Sequence, residues 1–340
     1  MYFTFQKTIS HSQATLPVVG VVAVLLWCIL PPQWMQTPVN VSAYGLWRFV
    51  PSVLTQGTWS AVLSALCAAV AVYQMAELNY ANVLLRVNTR MLSSMLALLL
   101  GVSVVCHQFS TPGSILMVLT LSSFFPLFAS YQHPVPHLSF LTHLALSAAS
   151  LLLPQLLWLV PIYWLVQTIF RTLTFRSFIA SLLALLTPYW CYAAIAYVTG
   201  TWAEFMADIQ QVANFQWPDY TQFPLCHLLT YIFTLLVFIV GTIDFFVQQF
   251  SDKTRIRIIY RSMVCYGIAL ALLIALLPQH FAVLLPLLLL PTAILHGHFF
   301  TLTQTRASHI IILILLLLAI IVVTAQYISP ADLSYLLSQL

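Results

Sequence analysis

GTIDFFVQQFSDKTRIRIIYRSMVCYGIAL, Gly241–Leu270, carries the pattern that decides the fold. An apolar run ends near Val247. A short stretch, Ser251–Arg261, then gathers Lys253, Arg255, Arg257 and Arg261, and a second apolar run follows. Two lipid-soluble segments joined by a basic loop read as a transmembrane hairpin. Only helices and closed barrels satisfy their backbone in lipid, and these runs are too long and continuous for the alternating strands of a barrel.

The same pattern extends outward. Of 340 residues, 61% are hydrophobic and 5% are charged, against about 25% charged in soluble domains. Such a chain cannot dress a water-exposed surface. The expectation is an all-α polytopic bundle, one integral membrane domain over 1–340. It has about eleven spans, near 15–31, 58–77, 91–106, 113–130, 138–153, 155–170, 177–199, 225–247, 260–277, 281–297 and 308–325. Several fall short of the roughly 20 residues of a full span. Between 138–153 and 155–170 stands Pro154, so two crossings or a re-entrant hairpin both stay open.

With the N-terminus inside, the inner segments collect Lys7, Arg86, Arg90, Arg171, Arg176, Lys253, Arg255, Arg257, Arg261 and Arg306; the outer segments hold only Arg48. That is a positive-inside distribution. Basic residues spread along the chain report orientation, so the net charge of +4 does not point to nucleic acid. Most tryptophans fall at the outer interface, as an aromatic belt would. The six cysteines sit in or beside apolar runs with no metal or CxxC spacing, and read as packing residues.

Two long outer loops, 32–57 and 200–224, interrupt the bundle. Thr201 and Glu204 have capping-box spacing, and Trp202, Phe205, Met206, Ile209 and Val212 recur at helical spacing with Glu204, Asp208 and Gln211 opposite. An interfacial helix over Thr201–Asn214 is expected there. Ser42 would cap a shorter one carrying Leu46, Trp47, Phe49 and Val50. Pro126, Pro161, Pro188, Pro286 and Pro291 are expected to bend the helices that hold them.

Candidate site residues follow from scarcity. Arg48 defies the charge bias, and its planar fork suits a phosphate. Glu204, Asp208, Asp219 and His227 share the outer side with it and are the substrate-binding candidates. Glu77 and Asp244 are the acids nearest the lipid core, where an acid is a functional candidate by default, although nearby arginines offer ion pairs. His107, His227 and His280 map to outer span ends; His296, His298 and His309 to inner ones. The i, i+2 spacing of His296 and His298 splays their rings. No metal, cofactor or nucleic-acid motif occurs, and no catalytic residue can be named.

Glu77–Leu100, Ser122–Pro134 and Arg171–Trp190 resemble a family of uncharacterised bacterial inner-membrane proteins. The layout, with a long first outer loop and a second outer helix after the seventh span, is similar to GT-C membrane glycosyltransferases. That likeness implies an outer site for a polyprenyl-phosphate-linked lipid, with an acid in the first outer loop. Loop 32–57 contains none. Three readings stay open: an outer-facing cavity for an anionic lipid substrate, a transporter or flippase, and a non-enzymatic subunit of an envelope assembly. Membrane lipids and other envelope proteins are the expected partners.

Overall fold

The computed structural model describes residues 12, 14–28, 46, 47, 50, 57–87, 89–108, 110–213, 217, 218, 220 and 223–327. Arg48, Asp219 and the remainder of the first outer loop's proposed helix lie outside them.

The described residues are all helical, without strands. In chain order the helices are α1 (Thr15–Cys28), α2 (Gly57–Asn82), α3 (Met91–Val102), the single turn α4 (Val104–His107), α5 (Thr111–Ala129), α6 (Pro136–Ser150), α7 (Val160–Ile169), α8 (Phe175–Thr199), α9 (Trp202–Ala213), α10 (Leu225–Gln248), α11 (Thr254–Leu276), α12 (Phe281–Leu302) and α13 (Arg306–Tyr327). Seven helices are long and apolar enough to cross a membrane: α2, α5, α8, α10, α11, α12 and α13. The chain is therefore a multi-pass membrane protein.

Helix α12 is the axis of the bundle. Its sequence is apolar on every face, and a helix of that kind must be enclosed. All but its first-turn alanine and last leucine are buried, and α3, α5, α10 and α11 surround it. Pro286 and Pro291 lie inside it, tolerated where neighbouring helices enclose the interrupted backbone. Small residues let partners approach. A β-carbon at Gly113 of α5 would lie 2.9 Å from Val283 Cα, and one at Gly241 of α10 would lie 2.9 Å from the Leu295 carbonyl carbon.

The stretch around Pro154 resolves into α6, a 3-10 segment Pro154–Leu159, and α7. Six residues at about 2 Å plus ten at about 1.5 Å give roughly 27 Å of rise, close to the thickness of the hydrocarbon core. Polar side chains bind this part to its neighbours. Ser139 donates to the Ser177 carbonyl at 2.9 Å, Trp164 Nε1 to Ser181 Oγ at 3.0 Å, and Tyr163 shares a 2.8 Å bond with Ser123. Ser147 donates to the Leu185 carbonyl at 2.7 Å, one residue past the carbonyl freed by Pro188.

The connections at 83–90, 130–135, 170–174, 249–253 and 303–305 gather at one end of the bundle. Gln132 N–H donates to the Phe170 carbonyl, Arg255 to the Phe128 carbonyl, and Tyr260 to the Leu84 carbonyl. All nine described lysines and arginines belong to this end, which is called the basic end below. Its turns use left-handed residues that are not glycine: Val83, Gln132 and Arg171, with φ of 50°, 59° and 60°. For β-branched Val83 that conformation is strained. It holds because Asn79 Oδ1 accepts from Leu85 N–H and Asn79 Nδ2 donates to the Thr89 carbonyl.

Candidate functional site

The outer candidates are held apart. Gly200, with φ of 74°, ends α8, and α9 begins two residues later, within the expected limits. The orientation of α9 differs from a simple amphipathic reading. Trp202, Met206 and Ile209 are exposed, while Asp208 is buried beside Phe205. In a membrane protein the outward surface is itself apolar, so the polar stripe turns toward the protein. Tyr192 of α8 donates to Asp208 Oδ2 at 2.7 Å, and Trp158 Nε1 donates to the Val212 carbonyl at 3.0 Å. Leu46 packs on the same Tyr192–Phe205 cluster, and its N–H donates to the Leu151 carbonyl.

His227 sits in a different cluster. Its ring stacks on Phe281 at 4.8 Å and meets Phe223 edge-on. The structure thus brings Glu204 and Asp208 onto α9 and places His227 elsewhere. His107, at the end of α4, is buried: its Nε2 lies 3.1 Å from the Leu100 carbonyl, and its side chain is packed against Trp27.

Asp208 anchors α9 through a charged hydrogen bond, which contributes about 1.5–3 kcal/mol in general. Asp208 has a further interaction, so Tyr192→Phe is expected to cost about 1.5 kcal/mol, the low end of that range. Hydrogen exchange should report it as faster exchange confined to α9; unchanged exchange there would contradict the anchoring role.

The basic end is where polar groups converge. Asp252 follows α10, with its side chain 1% exposed. Arg86, delivered by the turn at Val83, meets Asp252 Oδ1 at 2.6 Å and also bonds Ser251. On the opposite side, His298 Nε2 of α12 lies 3.1 Å from Asp252 Oδ2. His298 Nδ1 faces Asp244 Oδ2 at 3.9 Å. Thr303 donates to Asp244 Oδ1 at 2.6 Å, and Gln248 donates to the same oxygen at 3.1 Å. Tyr260 walls the His298 ring, with centroids 4.8 Å apart. The result is a row, Arg86–Asp252–His298–Asp244, exposed at Arg86 and otherwise enclosed, joining α10, α12 and the two connections 83–90 and 249–253.

Burial pushes the Asp252 carboxyl upward, but hydrogen bonds from His298 and Arg86 outweigh it and hold the group below its ordinary range. The sequence reading named Asp244 as a candidate intramembrane acid, and Asp244 takes part in this row. It missed Asp252 and His298 because they are 46 residues apart and nothing local joins them. The expected splay of His296 and His298 holds: His298 enters the row, and His296 lines an apolar cavity of about 450 Å³ between α1, α3, α10, α12 and α13.

Two further cavities adjoin at the basic end. One, of about 720 Å³, has a mixed lining, with Glu77, Asn79, Tyr80, Arg86, Thr89 and Arg90 as its polar part. The other, of about 570 Å³, is an apolar groove between α1, α2 and α3. Leu16, Ala69 and Val72 line both, so the two are continuous. Glu77, the second candidate acid, is exposed in the polar part beside Arg86 and Arg90.

Comparison with protein-family models, curated proteins and solved structures finds no match to this chain.

Proposed function

We propose that this protein binds a phosphate-bearing membrane lipid in the cleft between α1, α2 and α3. The observation that carries this is the continuity of the arginine-lined cavity with the apolar groove. A lipid has that same division: a charged head on an apolar tail. Arg86 and Arg90 offer planar forks to a phosphate, and the groove along Val62–Val72 takes acyl or isoprenoid chain. Glu77 sharpens the choice of headgroup, since a carboxylate beside the phosphate site favours a head that also carries an amine.

This reading keeps the anionic-lipid chemistry expected from the sequence and moves it to the basic end. The outer candidates Glu204, Asp208 and His227 are not part of this cleft. The basic end faces the cytoplasm, by the positive-inside rule. The chain then crosses eleven times, with α1, α3–α4, α6 and the Pro154–Ile169 segment as short crossings, and α9 lies on the outer interface. A bacterial inner membrane is the location that the family resemblance implies. Thiol labelling of cysteines placed at Lys253 and Ala207 tests the topology; labelling of both from the same side would exclude it.

The lipid reading is tested by native mass spectrometry of the protein extracted in mild detergent. A co-purifying phospholipid is expected, reduced several-fold in Arg90→Gln and in Gly20→Leu, which fills the groove. A β-carbon at Gly20 has open space around it, so the second variant should fold normally. If the head carries an amine, Glu77→Gln weakens retention; if it is purely anionic, Glu77→Gln strengthens it. A bound-lipid profile identical in wild type, Arg90→Gln and Gly20→Leu would end the proposal.

A second reading, transport, is favoured by one observation: the buried row places ionisable groups from α10 and α12 in contact, as proton-coupled carriers require.

A further inference from the structure

We propose that Asp244, His298 and Asp252 form a buried site for one proton, held on the His298 ring, and that Arg86 links it to the lipid cleft. The geometry around the ring is the reason. Its two nitrogens face two different carboxylates, Nε2 toward Asp252 at 3.1 Å and Nδ1 toward Asp244 at 3.9 Å. A neutral imidazole has one bare nitrogen, so either tautomer aims a lone pair at a carboxylate oxygen. His298 Nδ1 and Asp244 Oδ2 are both buried, and neither has a hydrogen-bond partner. One added proton makes both ring nitrogens donors and satisfies both atoms as the Asp244 contact tightens.

Charge points the same way. Imidazolium and Arg86 balance the two carboxylates, whereas loss of the proton leaves a net negative charge on a row that opens to water only at Arg86, which is costly. The groups in contact with the His298 ring are Asp244 and Phe245 of α10, Asp252 of the connection, and Tyr260 of α11. His296 of α12 lies on the Asp244 side, and from α3 the neighbour at Gly297 is the apolar Leu92. Among the described residues the ionic partners of His298 are Asp252 and Asp244, both acids, so the proton is the charge that completes the row. It comes from the aqueous phase at the basic end, where Arg86 is partly exposed.

Arg86 is common to the row and to the polar cleft. When His298 loses its proton, the row turns negative, grips Arg86 harder and repels an anion in the cleft. A phosphate headgroup therefore binds more tightly with the proton present than without it. This coupling rests on the lipid reading above; the proton site itself does not.

Nitrogen-15 NMR of histidine-labelled protein in lipid nanodiscs decides the point. One histidine should remain an imidazolium at about pH 7.5, a unit above the ordinary histidine midpoint, and its signal should vanish in His298→Gln. In Asp244→Asn the same histidine should be neutral at that pH, which identifies it even if His298→Gln fails to fold. Ten histidines all neutral at that pH would overturn the proposal. In the same nanodiscs, affinity for a soluble short-chain phosphatidylethanolamine or phosphatidylglycerol probe should fall several-fold between about pH 6 and 9, and stay flat in His298→Gln. Equal pH dependence in both proteins would overturn the link through Arg86. Absence of lipid binding at every pH, with the imidazolium signal intact, would defeat the lipid reading and leave the proton site standing.

Discussion

Asp252→Ala is expected to destabilise the protein more than any other substitution of a charged residue. Asp252 is the member of the row that Arg86 and His298 share. Removing it leaves His298 Nε2 buried without an acceptor and Arg86 without its 2.6 Å partner. Breaking a buried pair from one side costs about 3–5 kcal/mol in general. Arg86 is 40% exposed and recovers some water, so the expected loss is about 3 kcal/mol, the low end of that range. A reversible detergent-denaturation titration measures it. Removing both partners should cost less than the sum, so Arg86→Ala with Asp252→Ala should be strongly non-additive. A loss under about 1 kcal/mol would place this pair with ordinary surface salt bridges.

The same contact fixes a pH dependence. The folded-state titration of Asp252 is depressed. A depressed carboxyl contributes stability that is present above its unfolded value and is lost as pH falls through the folded one. Acid below the ordinary carboxylate range should therefore loosen the basic end in wild type. Asp252→Asn should lack that component.

The sequence made the fold class legible because lipid imposes a composition that no soluble domain shares. The long apolar runs at Leu225–Val247 and His309–Thr324 required no partner to be recognised. Other features needed the third dimension. Helix α9 illustrates one. Its period and cap could be read from Thr201 and Glu204, but which side faced the protein could not, because the exterior of a membrane protein is not water. Asp208 was thus found in the interior, against Tyr192. The buried row illustrates another. Asp244 stood out as an acid in an apolar run, whereas Asp252 was masked by the four basic residues that follow it. His298 was masked by its own apolar helix. Their meeting depends on how α10 and α12 pack, and only Gly241 hints at that packing in the sequence. The cleft between α1, α2 and α3 was hidden for the same reason, since Arg90 and Val62 are a full helix apart and are joined by the groove that α1 closes.

Gly241→Leu is expected to have the second large effect. Helices α10 and α12 meet backbone to backbone at this glycine. A β-carbon there would lie 2.9 Å from the carbonyl carbon of Leu295, 3.0 Å from the backbone nitrogen of His296 and 3.1 Å from Leu295 Cβ. Two of these neighbours are main chain of a fully enclosed helix, so neither can swing aside. Overpacking of this kind costs about 1–3 kcal/mol and occasionally more, and a four-carbon side chain against rigid backbone belongs at the upper end. Asp244 follows one turn later on α10, and His298 stands one residue beyond Gly297 on α12. Forcing the helices apart at Gly241 therefore widens the 3.9 Å gap between Asp244 and His298 as well. Gly241→Leu should then lower stability by about 3 kcal/mol and also neutralise His298 at near-neutral pH, although it changes no titratable group. Gly241→Ala adds one carbon to the same contact and should give a smaller version of both effects. Gly113→Leu, which presses on Val283 at the opposite end of α12, should lower stability comparably and leave the His298 signal unchanged. If Gly113→Leu and Gly241→Leu neutralised His298 equally, the row would be reporting general loosening of the bundle rather than the local approach of α10 to α12.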